Sequence, residues 1–134
     1  AQQAMEDAGI RFEDKLYGLS NYDFESAYHA MNGLLARRAE FTALFAMSDV
    51  IAFGAIRALV SAGLRVPEDV SVIGFDGITM SRYCVPVMTT IVQPSEQIAL
   101  QSIELLVRQI EHGTPAQTVT LQPELQQGES VRAI

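Results

Sequence analysis

"DVSVIGFDG", residues Asp69 to Gly77, is a short apolar segment that runs directly into an acid and a glycine. Its apolar residues fill adjacent as well as alternate positions, which is typical of a strand buried on both faces of a parallel sheet. Ligands of open parallel sheets bind beyond the carboxyl ends of the strands. Asp76 is therefore a candidate binding residue, although Asp-Gly is also a common turn dipeptide.

The rest of the chain alternates helical and strand patterns, which favours an α/β fold. Helical spacing and capping signals predict helices over Gln2–Ala8, Asp23–Arg38, from a Ser48 or Asp49 cap to Ala62, and Ser95–Glu111 with Ser95 as its cap. Strand patterns cover Lys15–Leu19, Phe41–Met47, Val70–Phe75 and Thr89–Gln93. The tail "QTVTLQPEL" alternates apolar and polar residues, which predicts an edge or surface strand.

The last helix carries an apolar stripe at helical spacing, which the pattern predicts to be buried. The stripe consists of Ala99, Ile103, Leu106, Val107 and Ile110.

Composition excludes several classes of protein. The 134 residues carry a net charge of −7, with 9 basic and 16 acidic residues, so we expect this chain not to grip nucleic acid itself. The single cysteine, Cys84, excludes an internal disulfide. No segment predicts a transmembrane helix, and "AQQAMEDAGIRFED" has polar residues where a signal peptide is apolar. The stretch "QQAMEDAG" reads as the last turns of a helix that stops at Gly9, so further sequence upstream is expected.

Motifs for catalysis and for metal binding are absent from the sequence. There is no G-x-G-x-x-G and no G-x-x-x-x-G-K, and "GLSNY" lacks the second glycine of a nucleophile elbow. His29 and His112 are isolated from each other and from Cys84, which matches no metal-ligand spacing. The sequence therefore predicts no enzyme, no cofactor and no metal.

Two long blocks resemble the lac/galactose repressor family of bacterial transcription regulators: "FTALFAMSDVIAFGAIRALVSAGLRVPEDVSVIGFDG" and "SRYCVPVMTTIVQP". The resemblance implies a doubly wound parallel sheet of the periplasmic-binding-protein-like type I fold, present in part. Residues 1–93 would form the C-terminal effector-binding subdomain without its first strand, leaving an unfilled slot between the strands predicted over Lys15–Leu19 and Phe41–Met47. Residues 94–113 would be a helix of the N-terminal subdomain, and residues 114–134 would be the C-terminal strands and tail.

The resemblance also implies an effector site for a sugar or a nucleoside-like metabolite. Asp76 would accept hydrogen bonds from effector hydroxyls, and Phe24 would pack against a flat ligand face. Ser48 stands where several relatives have Asn, and its ordinary alternative is a helix cap. Gln93 would be a crossover residue that faces the cleft. Asp49 is expected to remain a cap.

Assembly and cellular role follow from the same resemblance. A homodimer is expected, with candidate interface residues Ile51, Ala55, Arg82, Tyr83 and Cys84. Operator DNA would be bound only through an N-terminal helix-turn-helix domain upstream, in a cytoplasmic protein with no membrane contact. The alternative is a periplasmic-type sugar-binding protein of a transport system, because "GFDG" occurs in that group as well.

Overall fold

The computed structural model describes residues 2–11, 13–38 and 40–133. Its α-helices are α1 (Gln2–Asp7), α2 (Phe24–Ala36), α3 (Asp49–Ser61) and α4 (Ser95–His112). Its strands are β1 (Ala43–Phe45), β2 (Ser71–Asp76), β3 (Thr89–Val92) and β4 (Glu124–Gln126). Short 3-10 turns occupy Asp14–Leu16 and Thr79–Arg82. The outer ends of the predicted domain ranges, residues 1 and 134, lie outside the described residues.

The four strands form one sheet in the order β1-β2-β3-β4. β1, β2 and β3 are parallel neighbours, and β4 pairs antiparallel with β3 at the edge. α3 makes the crossover between β1 and β2, as parallel pairing requires. The predicted α/β class with a mostly parallel sheet is confirmed. The tail does supply an edge strand, but it covers only Glu124–Gln126, and residues 117–123 of the predicted segment are irregular.

The core lies where α2 and α3 pack on each other and on β2. Its largest buried side chains include Met31 of α2, Leu59 of α3 and Val72 of β2. Gly54 lets the two helices approach closely, because a β-carbon there would meet the carbonyl oxygen of Phe24 and lie 2.7 Å from Ala27 Cβ. The first turn of α2 is thereby held against the first half of α3.

Side-chain caps begin two of the helices. The carboxylate of Asp23 accepts a hydrogen bond from Ser26 N–H at 2.7 Å, as expected of an N-cap. Ser48 Oγ accepts from Ile51 N–H at 3.2 Å and caps α3. The prediction that Ser95 caps the last helix is wrong, because Pro94 holds the N-cap position and makes no side-chain cap bond.

The strand predicted over Lys15–Leu19 does not form. Asp14–Leu16 is a 3-10 turn, and residues 17–20 continue as irregular chain outside the sheet. A strand is stable only when a neighbour accepts and donates its backbone hydrogen bonds. None of the described strands lies beside this segment to do so.

A groove of about 340 Å³ separates that segment from β1. Leu16, Gly18 and Leu19 line one side, and Leu44 and Phe45 line the other. The predicted slot between these two stretches is therefore present, although only one of them is a strand.

The stripe predicted to be buried on the last helix is exposed in the described chain. α4 has no buried residue, and Ile103 and Ile110 are 62% and 74% exposed. The periodicity of the stripe is helical, as expected, but none of the described elements covers it. The prediction of burial is wrong for this chain by itself.

Candidate functional site

The carboxyl ends of three parallel strands meet at one edge of the sheet, which we call the carboxyl edge. Met47 and Ser48 follow β1, Asp76 ends β2, and Gln93 follows β3. Three of the four predicted effector residues, Ser48, Asp76 and Gln93, therefore lie along the same edge. This edge is where open parallel sheets bind ligands.

Asp76 and Gln93 contact each other directly. Gln93 Nε2 donates a hydrogen bond of 2.6 Å to Asp76 Oδ1, and Gln93 N–H donates to the Asp76 carbonyl at 3.1 Å. Both side chains are half-buried. Asp76 Oδ2 has no hydrogen-bond partner among the described residues. One oxygen of the carboxylate is thus fixed by the protein, and the other remains as an acceptor at the edge of the sheet.

The backbone at Asp76 has an unusual conformation. Its φ is 113°, which a residue with a β-carbon adopts at a cost of order 1–3 kcal/mol. Gly77 follows with φ 73°, and a β-carbon there would lie 2.7 Å from Val92 Cγ2. Such strain persists only where the surrounding structure enforces it, and it is concentrated at functional sites.

Phe24 stands at the first position of α2 and is 48% exposed. A helix that precedes a parallel strand generally runs antiparallel to it, so the start of α2 is expected on the side of the carboxyl edge. Contact of the Phe24 carbonyl with Gly54 places it beside α3, which itself begins at that edge. An exposed ring in this position suits packing against an apolar face of a ligand.

Ser48 takes its alternative role as a helix cap, whereas Asp49 does not cap the helix as expected. Ser48 is 3% exposed and its hydroxyl caps α3, which leaves little of it to contact a ligand. Asp49 is fully buried and is not the cap. Its Oδ1 accepts from Thr90 Oγ1 at 2.5 Å, and its Oδ2 accepts from Ile78 N–H at 2.8 Å.

Asp49 and Thr90 were missed by reasoning from the sequence. An acid at the first position of a helix is favoured by the helix dipole, so Asp49 carried no distinctive signal. A better signal was Gly74, a glycine inside an otherwise apolar strand, since such a residue often marks a close approach. A β-carbon at Gly74 would collide with Asp49 Oδ1.

The candidate interface residues occupy two different environments. Arg82 and Tyr83 are exposed, with Tyr83 at 76%, and Cys84 is half-buried beside them. Ala55 is buried in the core, and Ile51 is half-buried and lines the groove beside β1. Arg82 Nε donates to Gln126 Oε1 at 3.0 Å, which ties the segment to β4. Burial raises the pKa of the Cys84 thiol, which lowers its reactivity.

The described residues contain neither a metal-binding cluster nor a membrane-spanning helix. No group of three or more His, Cys, Asp or Glu residues there is placed to hold a metal ion. None of the helices in the same ranges has the length and apolar character needed to cross a bilayer.

Comparison with known proteins gives a consistent result. Residues 1–131 match the family model of the periplasmic binding protein-like domain. Over 129 residues the chain is 39% identical to the HTH-type transcriptional regulator MalR of Clostridium butyricum. The matched region covers 96% of this chain and 38% of MalR. The chain therefore spans less than half the length of this curated relative.

Solved structures agree with the sequence match. The fold superposes on the transcriptional regulator CelR–cellobiose complex with a TM-score of 0.90 and 34% identity, over 96% of this chain and 40% of that one. A LacI family transcriptional regulator from Enterococcus faecium with bound ribose gives a TM-score of 0.83 and 29% identity, over 97% and 48% of the two chains.

The chain therefore belongs to the periplasmic binding protein-like domain family. Within that family its relatives are LacI-type transcription regulators, and the resemblance stated from the sequence is confirmed. These relatives are regulators of transcription and not enzymes.

Proposed function

We propose that this chain is the effector-binding and dimerisation part of a LacI-type transcription regulator that is controlled by a small sugar. The observation that carries the proposal is the Asp76–Gln93 pair at the carboxyl edge. Gln93 holds Asp76 Oδ1 at 2.6 Å, while Asp76 Oδ2 has no protein partner within the described ranges. The strained backbone of Asp76 is consistent with a residue whose position serves binding.

The chemistry of these side chains suits a sugar. A carboxylate accepts short, charge-assisted hydrogen bonds from hydroxyl groups, and one oriented by a neighbouring amide loses little entropy on binding. Phe24 offers a half-exposed aromatic ring that can cover the C–H face of a pyranose or furanose ring. Ser48 supports the site by capping α3 and does not contact the effector itself.

The effector class is drawn from the structural relatives. One was solved with cellobiose and another with ribose, and both share the fold of this chain over nearly its whole length. A nucleoside-like effector is the second possibility, since a ribosyl group offers the same hydroxyls to Asp76. Cellobiose, ribose and adenosine are therefore the first probes to try.

The test is Asp76→Ala in the intact protein. Loss of the acceptor should weaken binding of the preferred probe by about 10- to 100-fold, corresponding to about 1.5–3 kcal/mol. Asp14→Ala, which removes an exposed carboxylate far along the chain, is the matched control and should leave the affinity unchanged. If calorimetry gives equal affinities for wild type and Asp76→Ala, Asp76 does not bind the effector and only forms the turn with Gly77.

The remaining parts of the proposal concern the whole regulator. Operator DNA is bound through a separate N-terminal helix-turn-helix domain, because the net charge of −7 disfavours phosphate contacts by this chain. The protein acts in the cytoplasm. A periplasmic transport protein is the weaker candidate, since the regulators MalR and CelR match nearly the whole chain. A sequence-specific complex formed by this chain alone in a low-salt gel-shift assay would contradict the assignment of DNA binding.

The proposed homodimer uses the segment that follows β2. Met80, Tyr83 and Val85 are 58%, 76% and 93% exposed, a density of exposed apolar side chains that favours a protein contact. Arg82, Cys84 and Ile51 are expected to flank it, and Ala55 to support it from the core. Tyr83→Asp should shift the intact protein toward monomer in sedimentation velocity, with no change in probe affinity. An unchanged dimer would place the interface elsewhere.

A further inference from the structure

Asp49 carries a fully buried carboxylate that the proposed site does not use. It lies at the first position of α3, but it does not cap that helix, because Ser48 already does. Burying an ionised carboxylate is costly unless hydrogen bonds compensate for the lost water. A residue retained at such a cost requires a physical explanation.

Its hydrogen bonds join two parts of the carboxyl edge. Thr90 of β3 donates to Oδ1 at 2.5 Å, and the backbone N–H of Ile78 donates to Oδ2 at 2.8 Å. Ile78 is two residues beyond Asp76, so Asp49 fixes the chain immediately after the proposed effector ligand. Gly74 in β2 leaves the space that the carboxylate fills.

The turn that Asp49 holds is the strained one. Asp76 has φ 113°, and a strained residue relaxes unless the chain on both sides of it is fixed. β2 fixes the chain before Asp76, and Gln93 fixes Asp76 itself through its side chain and backbone. After Asp76, the backbone N–H of Ile78 is held by Asp49.

We propose that Asp49 is a positioning residue for the effector site, and that it keeps the Asp76 carboxylate aimed at the ligand by holding Ile78. This inference rests on the proposed role of Asp76 in binding. Asp49 itself is buried and does not touch the ligand. Thr90 acts as its anchor, since it keeps the carboxylate rotated so that one oxygen faces Ile78.

The experiment measures affinity and thermal stability of the intact protein together. The probe is whichever of cellobiose, ribose and adenosine wild type binds most tightly. Asp49→Ala should weaken its binding by about 10-fold or more. Asp49→Asn should stay within about 3-fold of wild type, because its amide can still accept from Ile78 N–H and can donate to Thr90 Oγ1. If Asp49→Asn is as weak as Asp49→Ala, the effect belongs to the charge and the positioning role is overturned.

A control separates positioning from loss of stability. Leu59→Ala empties a buried site toward the far end of α3 and should lower the melting temperature without changing probe affinity. In addition, Asp49→Ala should have little further effect on affinity in an Asp76→Ala background, since it acts through Asp76. Fully additive losses would overturn the inference.

A second variant keeps the inference testable if Asp49→Ala does not fold. Thr90→Val is close in shape and removes only the anchor on Oδ1, so it should weaken binding by about 3-fold or more. Affinity unchanged by Thr90→Val would count against the positioning role. If Asp76→Ala weakens binding and Asp49→Ala does not, only this inference fails. If none of the three probes binds wild type, the proposed sugar or nucleoside effector and this inference fail together.

Discussion

α3 and α4 are both long helices with many apolar side chains, yet their environments are opposite. Seven residues of α3 are buried, including the acidic Asp49, whereas none of the residues of α4 is. α3 lies between α2 and the sheet, so even its charged residue finds partners in the interior. α4 follows the last parallel strand and leaves the sheet, so its apolar stripe meets water.

The difference shows that an apolar stripe predicts a face that needs covering and does not predict what covers it. A stripe of four large aliphatic side chains exposed to solvent is unfavourable, at about 1.5–3 kcal/mol for each one left out of an apolar environment. Packing by another part of the regulator or by a second copy would remove that cost.

The largest expected effect is a difference in stability between a leucine truncation in α3 and one in α4. Leu59→Ala in α3 should lower the free energy of unfolding by about 2–5 kcal/mol, because the side chain is fully buried. Leu106→Ala in α4 should change it by less than about 0.5 kcal/mol in the 134-residue chain, measured at a concentration too low for self-association, because that side chain is 56% exposed in the single chain. Urea unfolding measures both. Equal losses in the two variants would mean that α4 is covered in solution.

The second prediction concerns self-association through α4. The 134-residue chain alone should not persist as a monomer, because its exposed stripe and the unpaired edge of β1 favour association. Replacing Ile103 by Gln should weaken this association by about 10-fold, the equivalent of losing one large apolar contact. Light scattering over a concentration series tests it. A sharp monomer peak at high concentration with cooperative unfolding would contradict the prediction.

The third prediction tests how tightly α3 packs on α2. Gly54→Ala should destabilise the chain by about 1–3 kcal/mol, because the added β-carbon meets the backbone of Phe24. Gly33→Ala in α2 is the matched control, with nothing within 4 Å of the added atom, and should stabilise by about 0.5–1 kcal/mol. Thermal unfolding shows directly whether each substitution raises or lowers the stability of the chain. If both stabilise, the contact between α2 and α3 is looser than the structure shows.

The smallest expected effect on stability comes from the ion pair between Arg65 and Asp69 in the exposed turn between α3 and β2. Arg65 lowers the pKa of Asp69 from 3.8 to about 2, mainly through hydrogen bonds to its carboxylate. A lowered pKa in the folded state means that this contribution to stability is present above about pH 4 and is lost as the pH falls toward 2. Asp69→Asn should therefore be slightly less stable than wild type at pH 7, and the gap should close in acid. A constant gap from pH 7 to pH 2 would exclude the ion pair as its cause.

Local patterns predicted most of the helices to within about two residues. Asp23 caps the start of α2 and Gly113 caps the end of α4, and both could be predicted because capping depends on groups a few positions apart. The prediction of a strand over Lys15–Leu19 was wrong because a strand requires a hydrogen-bonded neighbour, which no local pattern supplies. The position of Asp76 at the carboxyl end of a buried strand was predicted before any contact was known, whereas Gln93 entered only through the resemblance.

What the sequence determined by itself was the α/β class, the family resemblance and the carboxyl edge as the binding edge. The class and the binding edge depend on local periodicity and on the alternation of helices and strands along the chain, whereas the resemblance depends on the two quoted blocks of sequence. Tertiary structure alone decided that Asp49 reaches Thr90 and Ile78 across the sheet, and that the stripe on α4 is uncovered. The hydrogen bonds of Asp49 join residues 29 and 41 positions apart in the chain. Partners at that separation are set by how elements pack, and no pattern within a single helix or strand encodes them.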